Sequence, residues 1–125
     1  MNEWILLLLS IPIHELGHYS AFRLFKHKPT VKIKWWGIEI DANVMEQTTW
    51  LQALFISYCG PGLGLAFLCI MDVSALIIIA HIFMSIIDFN NIVQLMSLDK
   101  LCRKKTIKDI RISEARKTLE QYGVT

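Results

Sequence analysis

The sequence predicts an all-α integral membrane fold: three transmembrane helices, a small β-hairpin between the first and second, and a short amphipathic C-terminal helix. Three observations carry that prediction. In a chain of 125 residues, 54% are hydrophobic, and the mean hydropathy is +0.42, more apolar surface than a soluble domain of this size can cover with polar groups. Three apolar segments of spanning length lie at about 4–25, 50–71 and 73–98, while residues 26–49 and the tail 100–125 are polar. No linker rich in Ser, Gly or Pro and no internal repeat divides the chain, so residues 1–125 are expected to form one membrane-embedded domain.

The first segment, Trp4 to Phe25, reaches about 33 Å as a helix, enough for a bilayer core. Met1-Asn2-Glu3 carries no Lys or Arg and no small-x-small cleavage site follows, so the segment is expected to be retained rather than removed as a signal peptide. Pro12 deletes a backbone hydrogen bond just ahead of His14, which predicts a kink or loosened turn there.

Residues 26–49 are too polar to span. Val31–Trp35 and Ile38–Ala42 each alternate apolar with polar around Trp36-Gly37, the pattern of a hairpin, and Trp35 and Trp36 suit a lipid interface. The second segment has no charged residue from Trp50 to Met71. At its centre Cys59-Gly60-Pro61-Gly62-Leu63-Gly64 predicts a close approach to a neighbouring helix. The third runs from Val73 to about Leu98 as one span, with His81 in its middle, and turns polar at Asp88-Phe89-Asn90-Asn91. In the tail, Ile107, Ile110, Ala115, Leu119 and Tyr122 recur at helical spacing, which predicts an amphipathic helix against the membrane surface or the core. Cys59, Cys69 and Cys102 form no C-x-x-C pair and are expected to be reduced.

All 13 Lys and Arg lie in two places: Arg23, Lys26, Lys28, Lys32 and Lys34 around the first loop, and the remainder in the tail. With three spans these regions share one side. The positive-inside rule makes that side cytosolic and puts the N-terminus outside a cell membrane crossed several times.

The chemistry is concentrated in His14-Glu15-Leu16-Gly17-His18. On a helix, residues at i and i+4 share a face, so two imidazoles can bind one metal ion while Glu15 reaches water bound to it, the signature of a zinc hydrolase. With four His and six Glu in the chain, the pattern arises by chance in fewer than about one such sequence in a hundred. A catalytic zinc needs a third protein ligand and an open position. Asp88, Asp99 and His81 on the third segment are the candidates, and periodicity does not choose among them.

In these features the chain resembles the site-2 protease family of intramembrane zinc metalloproteases, across that family's core of three transmembrane segments. His14-Glu15-Leu16-Gly17-His18 matches the family's H-E-x-x-H. Cys59-Gly60-Pro61-Gly62-Leu63-Gly64 is similar to its A-G-P-x-x-N motif, with Gly64 where Asn is usual. Asn91 to Lys100 is similar to its third motif, N-L-L-P-x-x-P-L-D-G, with Gln94 and Ser97 in place of the prolines and Lys100 in place of the glycine. The resemblance implies one zinc ion per chain held by His14, His18 and Asp99, with Asp88 the second choice for the third ligand. It also implies a substrate or oxyanion contact by Asn91.

The expected activity is that of an intramembrane zinc metalloendopeptidase with Glu15 as general base. Its substrate would be a membrane-spanning or membrane-associated peptide, or a single-span protein, unwound beside the hairpin; the bilayer is the other partner, and no nucleic-acid ligand is expected. Without a sensor domain, regulation has to come from a membrane partner or from substrate supply. The alternative is a catalytically weak membrane scaffold or binding protein that retains the fold, which the altered surroundings of Asp99 favour and the intact Glu15 disfavours. A membrane metal transporter or sensor using His14, His18 and His81 is a third, poorer reading. From the charge pattern, a cysteine substituted at Thr125 is expected to react with impermeant reagents only from the cytosolic side. Labelling from outside would overturn the topology.

Overall fold

The computed structural model describes residues 2–34, 37–40, 42–98 and 105–123. Trp35, Trp36, Asp99 and Cys102 lie outside the described residues, so what the sequence suggests for them is not addressed. The chain is mostly helical, in the order α1 (Glu3–Leu24), β1 (Val31–Lys34), β2 (Gly37–Ile40), a 3₁₀ segment (Ala42–Gln47), α2 (Trp50–Ile70), α3 (Ala75–Met84), α4 (Ile86–Met96) and α5 (Ile107–Gln121).

α1 starts where the Asn2 side chain accepts the Trp4 N–H at 3.1 Å, giving one of the first-turn donors a partner. Glu3 accepts from both the backbone N–H and the hydroxyl of Ser74, the residue before α3, and so ties the starts of two helices together. The helix continues through Pro12 and ends at Leu24; just beyond it, Lys26 with a φ of 62° turns the chain. β1 and β2 pair antiparallel with Val31 opposite Ile40 and Lys34 opposite Gly37. A capping box of Thr49 and Gln52 starts α2.

α1 and α2 are each long and apolar enough to cross a membrane. Their packing builds the core. Leu6 and Leu7 of α1 meet Leu68 of α2 and Ile77 of α3; a helical interval further along, Ala21 and Phe22 meet Ile56. Outside that seam the bundle is clothed in exposed apolar side chains, among them Leu8, Leu51, Ile70, Phe83 and Ile87. An apolar exterior of this extent suits a lipid solvent and not water.

The third apolar segment departs from the expected single helix. It breaks at Ser85, and α3 and α4 meet there at an angle of 60°. Ser85 (φ −87°, ψ 9°) has left helical geometry, and both its N–H and its hydroxyl return to the His81 carbonyl, each at 3.0 Å. A serine hydroxyl that bonds back one turn competes with the helical ladder and bends it. No Pro or Gly marks the place.

The tail helix also differs in part. Only its first turns are buried: Ile107 and Ile110 pack on Ala53 of α2, with Met45, Leu95 and Leu98 around them. The Thr48 carbonyl accepts the Ile107 N–H at 3.0 Å, and Arg111 pairs with Glu46 at 2.9 Å. Ala115, Leu119 and Tyr122, assigned from the sequence to the same apolar face, are exposed. The apolar part of α5 docking therefore rests on two isoleucines. Ile110→Ala is expected to cost about 2–5 kcal/mol of docking free energy and to speed amide hydrogen exchange across α5, with little change in α1. Unchanged α5 exchange would show that the helix is held by something else.

Candidate metal centre

The metal-binding geometry starts from how closely α2 can approach α1. Gly17 lies against the Cys59 carbonyl, and Gly60 against the His18 ring; a Cβ at either position would occupy space that those groups fill. Small residues bring the helix axes together. As a result the Ile56 carbonyl of α2 comes within 2.8 Å of His18 Nδ1. A carbonyl only accepts, so His18 Nδ1 carries the hydrogen and, in the neutral ring, Nε2 keeps its lone pair.

That lone pair points at two others. His18 Nε2 lies 3.1 Å from His14 Nε2 and 3.3 Å from Asp88 Oδ1, and His14 Nε2 lies 2.9 Å from Asp88 Oδ2. Each of these three side chains is only slightly exposed, at 11% for the histidines and 21% for Asp88. Two imidazole nitrogens and a carboxylate within such distances need a positive centre or a shared proton among them, since acceptor atoms repel. Four-coordinate bonds of zinc-like length, about 2.0–2.1 Å, place neighbouring donor atoms about 3.3 Å apart. The observed separations fall at or slightly below that value. The donor set of two nitrogens and one oxygen, with a ring N–H tied to a backbone carbonyl behind it, could therefore hold a metal ion.

The bend at Ser85 is what completes the group. It turns α4 so that Asp88, one turn past the break, reaches both histidines of α1. Asp88, the second choice from the sequence, is thus the carboxylate found at the histidines, while Asp99 lies outside the described residues. Glu15 sits on α1 next to His14, half-buried and within electrostatic range of His18. Asn91 is one turn beyond Asp88 and exposed; with Ser57, Gln94 and Ile107 it lines a partly polar cleft of about 350 Å³ between α2, α4 and α5.

His81 is not one of the three ligands. Its ring centre is 5.6 Å from that of His14, and it is buried where Gly64 leaves room, since a Cβ on Gly64 would meet the His81 ring. Its Nδ1 faces Ser10 Oγ at 3.0 Å. The residues that sequence reasoning did not single out are Ser85 and the Ile56 carbonyl. A usable signal for the first was present: His81, Ser85 and Asp88 recur at i, i+4 and i+7, a polar stripe down an otherwise apolar segment.

The chain has no match among protein-family models, curated proteins or solved structures. What the site does is therefore argued from its own geometry. Gly60→Ala, which drives a methyl group into the His18 ring, is expected to lower zinc affinity at least tenfold, whereas Gly62→Ala, which faces open space, is expected to leave it unchanged. Equal affinities in a competition titration with a chromophoric chelator would show that close helix approach does not position His18.

Proposed function

We propose that this chain is a membrane-embedded zinc endopeptidase, similar in its core to the site-2 proteases, with His14, His18 and Asp88 as the metal ligands and Glu15 as general base. The observation that carries the reading is the convergence of two Nε2 atoms and a carboxylate at 2.9–3.3 Å beside a glutamate, on helices apolar enough to cross a membrane. Three ligands leave one tetrahedral position open, the arrangement of catalytic and not of structural zinc.

Bound there, zinc supplies an acidified water and a Lewis acid toward a carbonyl oxygen. The chain's own residues supply the remainder. Glu15, adjacent to His14 on α1, takes a proton from water and returns it to the leaving amine. Asn91, one turn from Asp88 on the wall of the cleft, offers amide hydrogen bonds to the substrate backbone. The scissile bond has to be exposed by local unwinding of the substrate, because a helical backbone hides it.

In this reading the bent pair α3–α4 is a third span, and β1 and β2 form a hairpin at the membrane interface. The first loop and the tail lie in the cytosol, and the substrate is a peptide or single-span protein of the same membrane. A scaffold that binds metal without cleaving is the second reading, favoured by Gln94, Ser97 and Lys100, where the resemblance would have two prolines and a glycine.

Metal content and cleavage of a model membrane peptide, measured together, separate the two. Wild-type protein is expected to hold close to one zinc per chain. His14→Ala, His18→Ala and Asp88→Asn are each expected to lose it, while Glu15→Gln keeps the zinc and loses cleavage at least a hundredfold. Zinc retained with no cleavage in the wild type would establish the scaffold; zinc retained in all three ligand variants would eliminate the site.

A further inference from the structure

For a neutral His14 ring the site admits two arrangements of hydrogen, and the two differ in a single hydroxyl. In the first, His14 carries its hydrogen on Nε2, donates it to Asp88 Oδ2 at 2.9 Å, and accepts at Nδ1 from the Ser85 hydroxyl at 3.4 Å. That is a buried His–Asp hydrogen bond with no need of a metal. In the second, Ser85 donates elsewhere, His14 Nδ1–H donates to Ser85 Oγ, and Nε2 presents a bare lone pair.

Ser85 has one hydrogen to give, and the structure offers it two destinations. The His81 carbonyl lies 3.0 Å from Ser85 Oγ, against 3.4 Å for His14 Nδ1, and a carbonyl can only accept. Ser85 is wholly buried, so no water competes for the hydroxyl. The shorter contact takes the hydrogen. Oγ is then left with lone pairs toward His14, and the ring must carry its hydrogen on Nδ1.

We propose that Ser85 is the positioning residue of the metal centre: by donating to the His81 carbonyl and accepting from His14 Nδ1, it holds His14 in the tautomer whose Nε2 is free to ligate. This rests on the metal-site reading above and adds to it the device that disfavours the neutral tautomer with its hydrogen on Nε2. The same contact makes the bend, because the carbonyl that receives the hydroxyl is the one at which the α3 ladder ends. One residue thus couples the orientation of His14 on α1 to the delivery of Asp88 on α4. His18 is served in parallel by the Ile56 carbonyl at 2.8 Å, so each histidine has an outer partner that fixes Nδ1 as the donor.

Ser10 behaves like Ser85, giving its hydrogen to the Leu7 carbonyl at 2.6 Å and facing His81 Nδ1 at 3.0 Å. The repetition shows that the bundle uses buried serines to orient imidazoles. Only Ser85 does so for a histidine of the ligand group.

The test combines zinc titration with nitrogen-15 spectroscopy of histidine-labelled, full-length protein in detergent micelles. In zinc-loaded wild type, His14 is expected to show a protonated Nδ1 and a metal-bound Nε2. Ser85→Ala is expected to lower zinc affinity by about 10- to 100-fold, and Ser85→Thr, which keeps the hydroxyl, to recover most of that loss. If Ser85→Ala does not fold, the wild-type spectrum and the Ser85→Thr titration still decide, because Nδ1 bare and Nε2 protonated in the wild type overturns the proposal. Wild-type protein that takes up no zinc overturns the metal-site reading and this proposal together. Zinc bound equally well by wild type and Ser85→Ala, with unchanged His14 signals, overturns the proposal alone and leaves the metal site standing.

Discussion

Atoms that accept hydrogen bonds are crowded together inside an apolar bundle: His14 Nε2 and His18 Nε2 lie 3.1 Å apart, with Asp88 Oδ2 2.9 Å from the first and Asp88 Oδ1 3.3 Å from the second. Left uncompensated, such a cluster is costly, because a buried charge without a partner is destabilising by several kcal/mol. The structure accepts that arrangement and builds toward it from three directions. α1 contributes two rings at i and i+4 from one face. α2 is brought against α1 by Gly17 and Gly60, so its Ile56 carbonyl can orient His18. The broken third segment turns Asp88 inward. The apolar contacts of Leu6, Leu7, Leu68 and Ile77 fix the helices on one side of the cluster, and those of Ala21, Phe22 and Ile56 on the other. The polar centre is thus clamped between two packed layers.

Much of this was legible in the sequence. The H-E-x-x-H pattern depends only on helical periodicity, and the first two apolar runs extend for as many residues as their helices, so α1 and α2 begin and end within about a residue of the expected positions. The glycines of the second segment announced a close approach, and the structure shows Gly60 against the His18 ring and Gly64 against the His81 ring, while Gly62 faces open space. The third segment was harder for a physical reason. Hydropathy counts apolar residues and is blind to a serine that hydrogen-bonds back to a carbonyl, so a run with no Pro or Gly reads as straight. Whether Asp88 or a residue eleven positions later faces the histidines depends on that straightness. In the tail, periodicity identified the helix, and the part of its apolar face that meets the bundle is the first turns, where Ile107 and Ile110 pack on Ala53.

The break at Ser85 also changes what the third segment can be. α3 and α4 have 10 and 11 residues, about 15–17 Å each, and neither crosses a hydrocarbon core of about 30 Å alone. Joined at 60°, they trade length for direction. Unwound or bent backbone at membrane depth persists where it is enclosed by protein, and Ser85 meets that condition: its N–H, its hydroxyl and its carbonyl are all bonded within the chain.

Depth then decides where the wet side of the centre must lie. His14 is eleven residues into α1 from Glu3, about 17 Å along the axis, far from either end of a spanning helix. In the reading proposed above, hydrolysis at that level would need water. The apolar groove between α1 and α2, lined by Gly17, Ala21, Phe55, Cys59 and Leu63, has little to hold it. α4 offers the contrary surface: beyond Asp88 come Asn91 and Gln94 at successive turns, and both line the cleft that α5 closes from the far side. Asp88, Asn91 and Gln94 thus follow one another along α4, from the histidines to the wall of the cleft. The residue that bends the third segment therefore does more than present a ligand. By turning α4 away from the axis of α3, it sets Asp88 against His14 and His18 and, further along the same helix, Asn91 and Gln94 in the wall of the cleft.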